Sequence, residues 1–455
     1  MNSEEVEQTL RVLGEIRALP VDDPVRQRVQ RAVDGLLKDA QRQRRADRRR
    51  RTAAADRAVV ADAATGAGDR AEGVPVSDRT DLPGAASIGR TRRERRCYGC
   101  RDRFRTVDAF YHALCPGCAD LHRRHRHARA DLTGRRAVVT GGRVKIGFQV
   151  ALKLLRDGAA VTVVTRFPAD AARRYAAEPD ATDWLASLRV IGADLRDPRQ
   201  VLDVAERLAV DAPRLDILIN NAAQTVRRPM WAYQPLIAAE LRAAPPGVAV
   251  ESATGFRPGA APADWSLRLA TRSEATRQEL TSLIDATGAL VVPGTANSWT
   301  ARIGQIDPVE LLEVQLVNVV APFLLLDRLR PALTTPGPGG RYVVNVTGRE
   351  GWFSEDSTGP DRHPHTCVSK AALNMLTRVG ATDLARHRVY MCGVDTGWIT
   401  DENPATIKAQ RAATGWQPPL DVVDAAARIY HPIISGEDGT PLHGVLLKNY
   451  AVVPW

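Results

Sequence analysis

Arg136-Ala137-Val138-Val139-Thr140-Gly141-Gly142-Arg143-Val144-Lys145-Ile146-Gly147 is a short apolar run that enters a glycine-bearing turn and leaves it as a helix near Ile146. Glycine in such a turn lets the backbone approach a pyrophosphate, and the free amides and positive dipole end of the following helix attract the same anion. Working outward, short apolar runs recur at 160–165, 188–192, 215–220, 341–346, 389–394 and 444–447. Amphipathic helical spacing fills 146–156, 201–208, 308–329, 369–385 and 421–429 between them. Strand–helix alternation of this kind predicts an α/β fold over 132–455, a doubly wound parallel sheet that takes its ligand at the carboxyl ends of the strands.

A chain of 455 residues has room for more than this sheet, and the surplus stands in front of it. Residues 1–134 hold 28 Lys+Arg against 20 Asp+Glu, a surplus of 8 in a formal net charge of +10, so the basic character belongs to the front end. Residues 1–60 read as two helices broken at Leu19-Pro20, with a basic run at 42–51. That run is a solvated arginine-laced helix or a surface for nucleic acid or another acidic partner. Residues 61–95, with Gly66-Ala67-Gly68, Gly73-Val74-Pro75 and Leu82-Pro83-Gly84, predict a flexible linker. No apolar run approaches the roughly 20 residues that cross a bilayer. The opening Met1-Asn2-Ser3-Glu4 lacks the basic-then-apolar order of a secretory signal, so a cytoplasmic protein without membrane contact is expected.

Cys97-Tyr98-Gly99-Cys100 and Cys115-Pro116-Gly117-Cys118 place two Cys-x-x-Cys knuckles in one stretch, 96–130. Four thiolates at that spacing suit a tetrahedral Zn2+, and a reducing compartment disfavours the competing disulfides. With four protein ligands no position stays open for water, so the metal is expected to be structural, standing in for a core too small to fold alone. Its removal is expected to unfold 97–118 and to leave the affinity of the sheet domain largely unchanged. His122-Arg123-Arg124-His125-Arg126-His127 reads as a solvated basic helix or, less simply, a second metal site.

The remaining motifs resemble the short-chain dehydrogenase/reductase family, in family order, over 132–455. They are the Thr140–Gly147 turn, Ala193-Asp194-Leu195, Asn220-Asn221-Ala222-Ala223, Leu316-Val317-Asn318-Val319, Asn345-Val346-Thr347-Gly348, Thr366-Cys367-Val368-Ser369-Lys370 and Asp395-Thr396-Gly397. The resemblance implies a Rossmann domain binding a nicotinamide dinucleotide through Thr140, Gly141, Arg143, Lys145, Ile146, Gly147, Arg166, Asp194, Leu195, Asn221, Ala222, Lys370 and Gly397. Lys145 stands where the family has its middle glycine. Arg166 stands where an acid would receive the ribose hydroxyl of NAD(H), so it favours the 2′-phosphate of NADP(H).

Implied catalytic positions are Asn318, Thr347, Thr366 and Lys370, but Thr366 replaces the family tyrosine and Gly348 replaces its serine. A threonine hydroxyl does not titrate in a useful range, so another acid is needed. His365 is the first candidate, with His363, Asp361 and Glu355 near it, provided that the helix begins after His365 and that Pro364 keeps the preceding residue extended. The two expectations are an NADP(H)-dependent oxidoreductase acting on the carbonyl or alcohol of a small molecule, and an impaired NADP(H)-holding adaptor or sensor that works through its zinc module. Asn221 and Asn318 are about 97 residues apart, far more than the family uses, and the insertion at 231–305, with a helical stretch at 273–283, reads as a lid, a partner-binding flap or a contact in a homo-oligomer. Arg227, Arg228 and Arg349 either converge on an anionic substrate or are surface arginines.

Overall fold

The computed structural model describes residues 2–76, 87–211, 214–260, 283–353 and 361–455. Seven parallel strands form the expected sheet: β3 (Arg136–Thr140), β4 (Ala160–Thr165), β5 (Leu188–Gly192), β6 (Ile217–Asn220), β8 (Arg341–Thr347), β9 (Val389–Asp395) and β10 (Leu446–Lys448). Two further strands extend it at the edges, β7 (Ala249–Ser252) and β11 (Ala451–Val453), giving the order β11-β10-β9-β8-β6-β3-β4-β5-β7. Only the terminal β10–β11 pair is antiparallel. The order reverses between β3 and β6, which opens the crevice where such sheets bind ligands.

Alternate residues of each strand feed two cores. Ala137 and Val139 pack with α4 (Lys145–Arg156), α5 (Pro168–Ala176) and α9 (Val422–Glu437) on one face, and Val138 packs with α6 (Pro198–Asp211), α7 (Pro308–Thr334) and α8 (Pro364–Ala385) on the other. A parallel sheet covered on both faces needs such uninterrupted Val/Ile runs. At 27 residues α7 is long and apolar enough to cross a membrane by composition, but Val317, Leu325, Leu329 and Leu333 bury its apolar side against the sheet. A π turn at Leu316–Val320 interrupts it and carries Asn318.

The front end departs from expectation. α1 (Ser3–Ala18) and α2 (Pro24–Ala61) form as two helices with no buried residue. The segment expected as linker is structured at both described ends. Thr65 donates to the Phe110 carbonyl (2.8 Å) and accepts the His112 amide (3.0 Å), while Ser87–Arg96 is a strand, β1, paired antiparallel with β2 (Arg103–Asp108). β1 is arginine-rich, with Thr91 its one buried residue, so it shows none of the apolar alternation by which strands are recognised.

Nor is α3 (Pro116–His127) a solvated lead-in. Ala119, His122 and Arg126 lie at helical spacing on one buried face, packed against α9. The cysteine module shares a core with the sheet domain, in which Cys97, Phe104, Tyr111 and Leu114 meet Ile399, Leu420, Val422 and Ala425.

The insertion gives β7 to the sheet edge beside β5, and residues 283–305 return toward the strand ends. The helical stretch expected at 273–283 falls, except for its last residue, outside the described residues.

Candidate functional site: a crevice at the carboxyl ends of the strands

A cavity of about 850 Å³ lies across the strand ends. Of the residues expected to bind the dinucleotide, Gly141, Arg143, Lys145, Ile146, Gly147, Arg166, Asp194, Leu195, Asn221, Ala222, Lys370 and Gly397 line it. Thr140 does not; it braces the turn from beneath. Its hydroxyl accepts the amides of Asn221 (3.1 Å) and Ala222 (3.0 Å), and the Asn221 side-chain amide donates to the Thr140 carbonyl (3.0 Å). Asn221 therefore shapes the loop with its side chain as well as bordering the cavity.

Two glycines are required here. A Cβ on Gly141 (φ 70°) would sit 2.9 Å from the Ala222 backbone, and one on Gly147 would run into the Gly141 carbonyl. Lys145, at the middle position, adopts φ 55°, the left-handed region that glycine enters without cost. The lysine therefore keeps a glycine's conformation at a strain of about 1 kcal/mol. Lys145→Gly is expected to raise the thermal midpoint slightly and to weaken binding of a phosphate-bearing ligand, a split visible by melting with and without nucleotide.

The three cations beyond the ends of β3 and β4 are held differently. Arg143 is buried and donates to Asp170 (2.7 Å) and the Thr287 carbonyl (2.8 Å), and Lys145 faces Glu402 (3.8 Å). Arg166, at the end of β4, has an uncharged partner, the Tyr233 hydroxyl (3.4 Å), with its guanidinium 5.0 Å from that ring centre. Burial pushes the Tyr233 phenol up, but Arg166, joined by Arg228 and Arg196, holds it below its usual range. Asp194 is gripped by Arg196 (2.6 Å), which also reaches Glu313 (3.0 Å).

The expected catalytic residues divide. Lys370 and Thr347 are on the cavity wall. Lys370 is buried and donates to the Val346 carbonyl (2.8 Å). Burial pushes its ammonium down to about 8, against the opposing pull of Glu350 and Asp395. The Thr347 hydroxyl is buried without a hydrogen-bond partner among the described residues, as a group awaiting a ligand would be. Thr366, one turn before Lys370, is buried off the wall, and its hydroxyl is equally unpartnered among those residues.

Asn318 spends its side chain on structure, accepting the Gln224 amide (2.8 Å) and donating to the Gln224 carbonyl (3.1 Å) and the Ser369 hydroxyl (3.0 Å).

His365 is not brought to the cavity. α8 begins at Pro364, so His365 falls in its first turn and points at α7, where Nε2 lies 3.9 Å from Glu310. Burial pushes its imidazole down to about 4, which leaves it neutral at pH 7 and a poor acid. His363, expected to be extended before the proline, instead adopts φ 43° and ψ 49°. It is held there by stacking on Trp299 (3.9 Å) and by donation from Nδ1 to the Trp299 carbonyl (2.9 Å). Arg228 and Arg349 line the cavity, Arg228 paired with Asp285 (2.6 Å); Arg227 turns away to Glu313 (3.2 Å).

Four cysteines, Cys97, Cys100, Cys115 and Cys118, have all their sulfur atoms within 4.8 Å of one another. A tetrahedron with Zn–S of about 2.3 Å has S···S edges of about 3.8 Å, and Cys100 and Cys115 stand 3.7 Å apart. The Cys115 amide donates to Cys97 Sγ (3.2 Å), a bond that favours thiolate, so the cluster fits a metal. The histidines of α3 are not part of any such group among the described residues. Sequence reading missed Tyr98 and Arg101 of the first knuckle, which line the cavity, and Tyr233, Thr287 and Trp299 of the insertion, which border it too.

A glycine-turned, doubly wound sheet with a lysine on the helix after β8 defines a dinucleotide-binding oxidoreductase fold. Residues 135–235 match the short chain dehydrogenase family. An uncharacterized protein, R665, of Acanthamoeba polyphaga mimivirus is 31% identical over 360 residues, covering 74% of this chain and 71% of that protein. A rhamnolipid-biosynthesis 3-oxoacyl-acyl-carrier-protein reductase of Pseudomonas aeruginosa is 38% identical over 99 residues, 21% of this chain and 36% of that one. Among solved structures, a Burkholderia cenocepacia short chain dehydrogenase in complex with NADP aligns at TM-score 0.44 and 22% identity, over 70% of this chain and 97% of that one. The chain belongs to the short-chain dehydrogenase/reductase family.

Proposed function

We propose that the protein is an NADP(H)-dependent oxidoreductase acting on the carbonyl or alcohol of a small molecule that bears an anionic group, with Lys370 as the residue that gives and takes the proton. The observation that carries this reading is Lys370 itself. It lines the cavity, it is buried, and its pKa of about 8 lies near neutrality, whereas Thr366 and His365 are off the wall. Tuned lysines of this kind serve as general acids and bases.

The reduced nicotinamide, when bound, supplies hydride. The chain's own part is to hold the nucleotide on the Gly141–Gly147 turn, to orient a substrate oxygen with the free Thr347 hydroxyl, and to protonate that oxygen from Lys370 Nζ. Arg349 lines the wall beyond β8, which supports an acidic group on the substrate. Arg166 favours the 2′-phosphate because, unlike Arg143 and Lys145, it has no carboxylate partner among the described hydrogen bonds and ion pairs.

Titration with both nucleotides tests the cofactor. NADPH is expected to bind more tightly than NADH, and Arg166→Ala to lose roughly 10- to 100-fold in NADPH affinity, the worth of one or two charged hydrogen bonds, with little change for NADH. Equal affinities in the unaltered protein would refute the assignment. A panel of carbonyl compounds then tests for turnover; binding without turnover on any of them would favour the cofactor-holding alternative.

A further inference from the structure

Tyr98 sits between the two cysteines of the first knuckle, yet its side chain belongs to the wall of the cavity. Its hydroxyl accepts the backbone amide of Trp398 at 2.7 Å. That amide lies in the loop that leaves β9, of which Thr396, Gly397, Trp398, Ile399, Thr400, Asp401 and Glu402 all face the cavity. Gly397 has φ 81°, and a Cβ there would stand 3.1 Å from the Tyr98 hydroxyl and 2.9 Å from Leu420. The close approach of knuckle to loop therefore depends on glycine.

Independent contacts hold the same loop and the segments that follow it. Glu72 accepts the Asp401 amide and the Lys408 ammonium (2.9 Å). Arg70 donates to the carbonyls of Pro418 (2.7 Å) and Leu420. Beneath them Ile399 and Leu420 are buried in one core with Cys97, Phe104 and Leu114.

A loop at a sheet's strand ends ordinarily moves to admit and release ligand. In this chain it is held by the cysteine module together with the segment that precedes it. We propose that the Cys97–Cys100 knuckle, through Tyr98, clamps the Thr396–Glu402 loop against the dinucleotide crevice, so that loading of the cysteine cluster with metal sets the affinity of that crevice. Tyr98 is a positioning residue, acting through the loop. The proposal rests on the cofactor reading above for its affinity half and on geometry alone for its clamp. It runs against the expectation that metal removal leaves cofactor binding largely unchanged. The shared core holds the rest of the module, but the turn between Cys97 and Cys100 is tied through its own sulfurs, and that turn holds the Trp398 amide.

Hydrogen exchange and NADPH titration on the full-length protein separate the two halves. Tyr98→Phe keeps the ring and removes only the acceptor. It is expected to keep its zinc content, to lose amide protection at Trp398, and to bind NADPH about 5- to 10-fold more weakly, the effect of one lost hydrogen bond. Chelation of the unaltered protein is expected to deprotect residues 97–118 and the Trp398 amide together and to weaken NADPH at least as much. Deprotection of 97–118 with Trp398 exchange and NADPH affinity unchanged within twofold would overturn the clamp. A chelation effect without a Tyr98→Phe effect would overturn the route through Tyr98. If the untreated protein binds no NADPH, the cofactor reading and the affinity half both fall, and the exchange comparison still decides the clamp.

Discussion

Lys370→Arg is expected to lower kcat at least 100-fold, the low end of what a general acid contributes, while NADPH affinity changes by only a few-fold. Arginine keeps a positive charge and donors for the Val346 carbonyl and for ribose hydroxyls, but it does not release a proton near neutrality. Lys370→Met is expected to lose both turnover and affinity, since it removes charge as well as proton. The pH dependence has a definite sign. Reduction needs the protonated ammonium, so its rate should fall as pH rises through about 8; oxidation needs the neutral amine and should rise through the same value. Rates measured in both directions with a compound that turns over would show opposed limbs. An arginine variant retaining more than about a tenth of kcat, or a flat profile across that region, would return the proton to some other group.

The parts of this molecule that were legible in the sequence are those where one residue type has one use. Apolar runs such as Ala137–Val139 and Ile217–Ile219 are buried on both faces and announce a parallel sheet without help from their partners. Glycine at 141 and 147 announces a backbone that must come close to something, and the knuckle spacing announces the sulfur cluster. Charged residues gave no such signal. Arg126 in a basic stretch looks solvated, and what buries it is 295 residues away. β1 looks like linker because its strand is arginine-rich and its partners are α2 and β2 rather than a core.

His365 was a reasonable acid by chemistry and an unsuitable one by direction. One residue along a helix turns a side chain by about 100°, and a helix starting at Pro364 rather than later spends that turn pointing at Glu310. Tyr98 was illegible for a different reason. A residue inside a metal knuckle is read for its neighbours, and only the docking of the module puts its hydroxyl on a loop 300 residues downstream.

Arg126→Leu is expected to destabilise the protein by about 3–5 kcal/mol, the cost of leaving buried carboxylates without their cation. Arg126 on α3 donates to both oxygens of Asp421 (2.6 and 3.0 Å) and to Asp424 (3.2 Å), and all three side chains are buried. Asp421 also caps α9, accepting the Val423 and Asp424 amides, and Tyr111 donates to Asp424 at 2.6 Å. One guanidinium thus joins the cysteine module to the first turn of α9. Burial, then Asp424, already pushes the Asp421 carboxyl up even with Arg126 opposing them. Without the arginine it must rise further. A carboxyl whose folded pKa exceeds its unfolded value binds more protons when folded, so stability is regained as pH falls through the folded pKa. The gap between variant and unaltered protein, taken from denaturant midpoints at each pH, should therefore narrow as pH falls. Asp421→Asn in the Arg126→Leu background should recover part of the loss at pH 7 and flatten the dependence, because the amide keeps the shape and one capping oxygen without the charge. A gap that stays constant with pH, or grows on acidification, would mean that Arg126 acts by packing on Phe110, 4.7 Å from its guanidinium, rather than by neutralising these two acids.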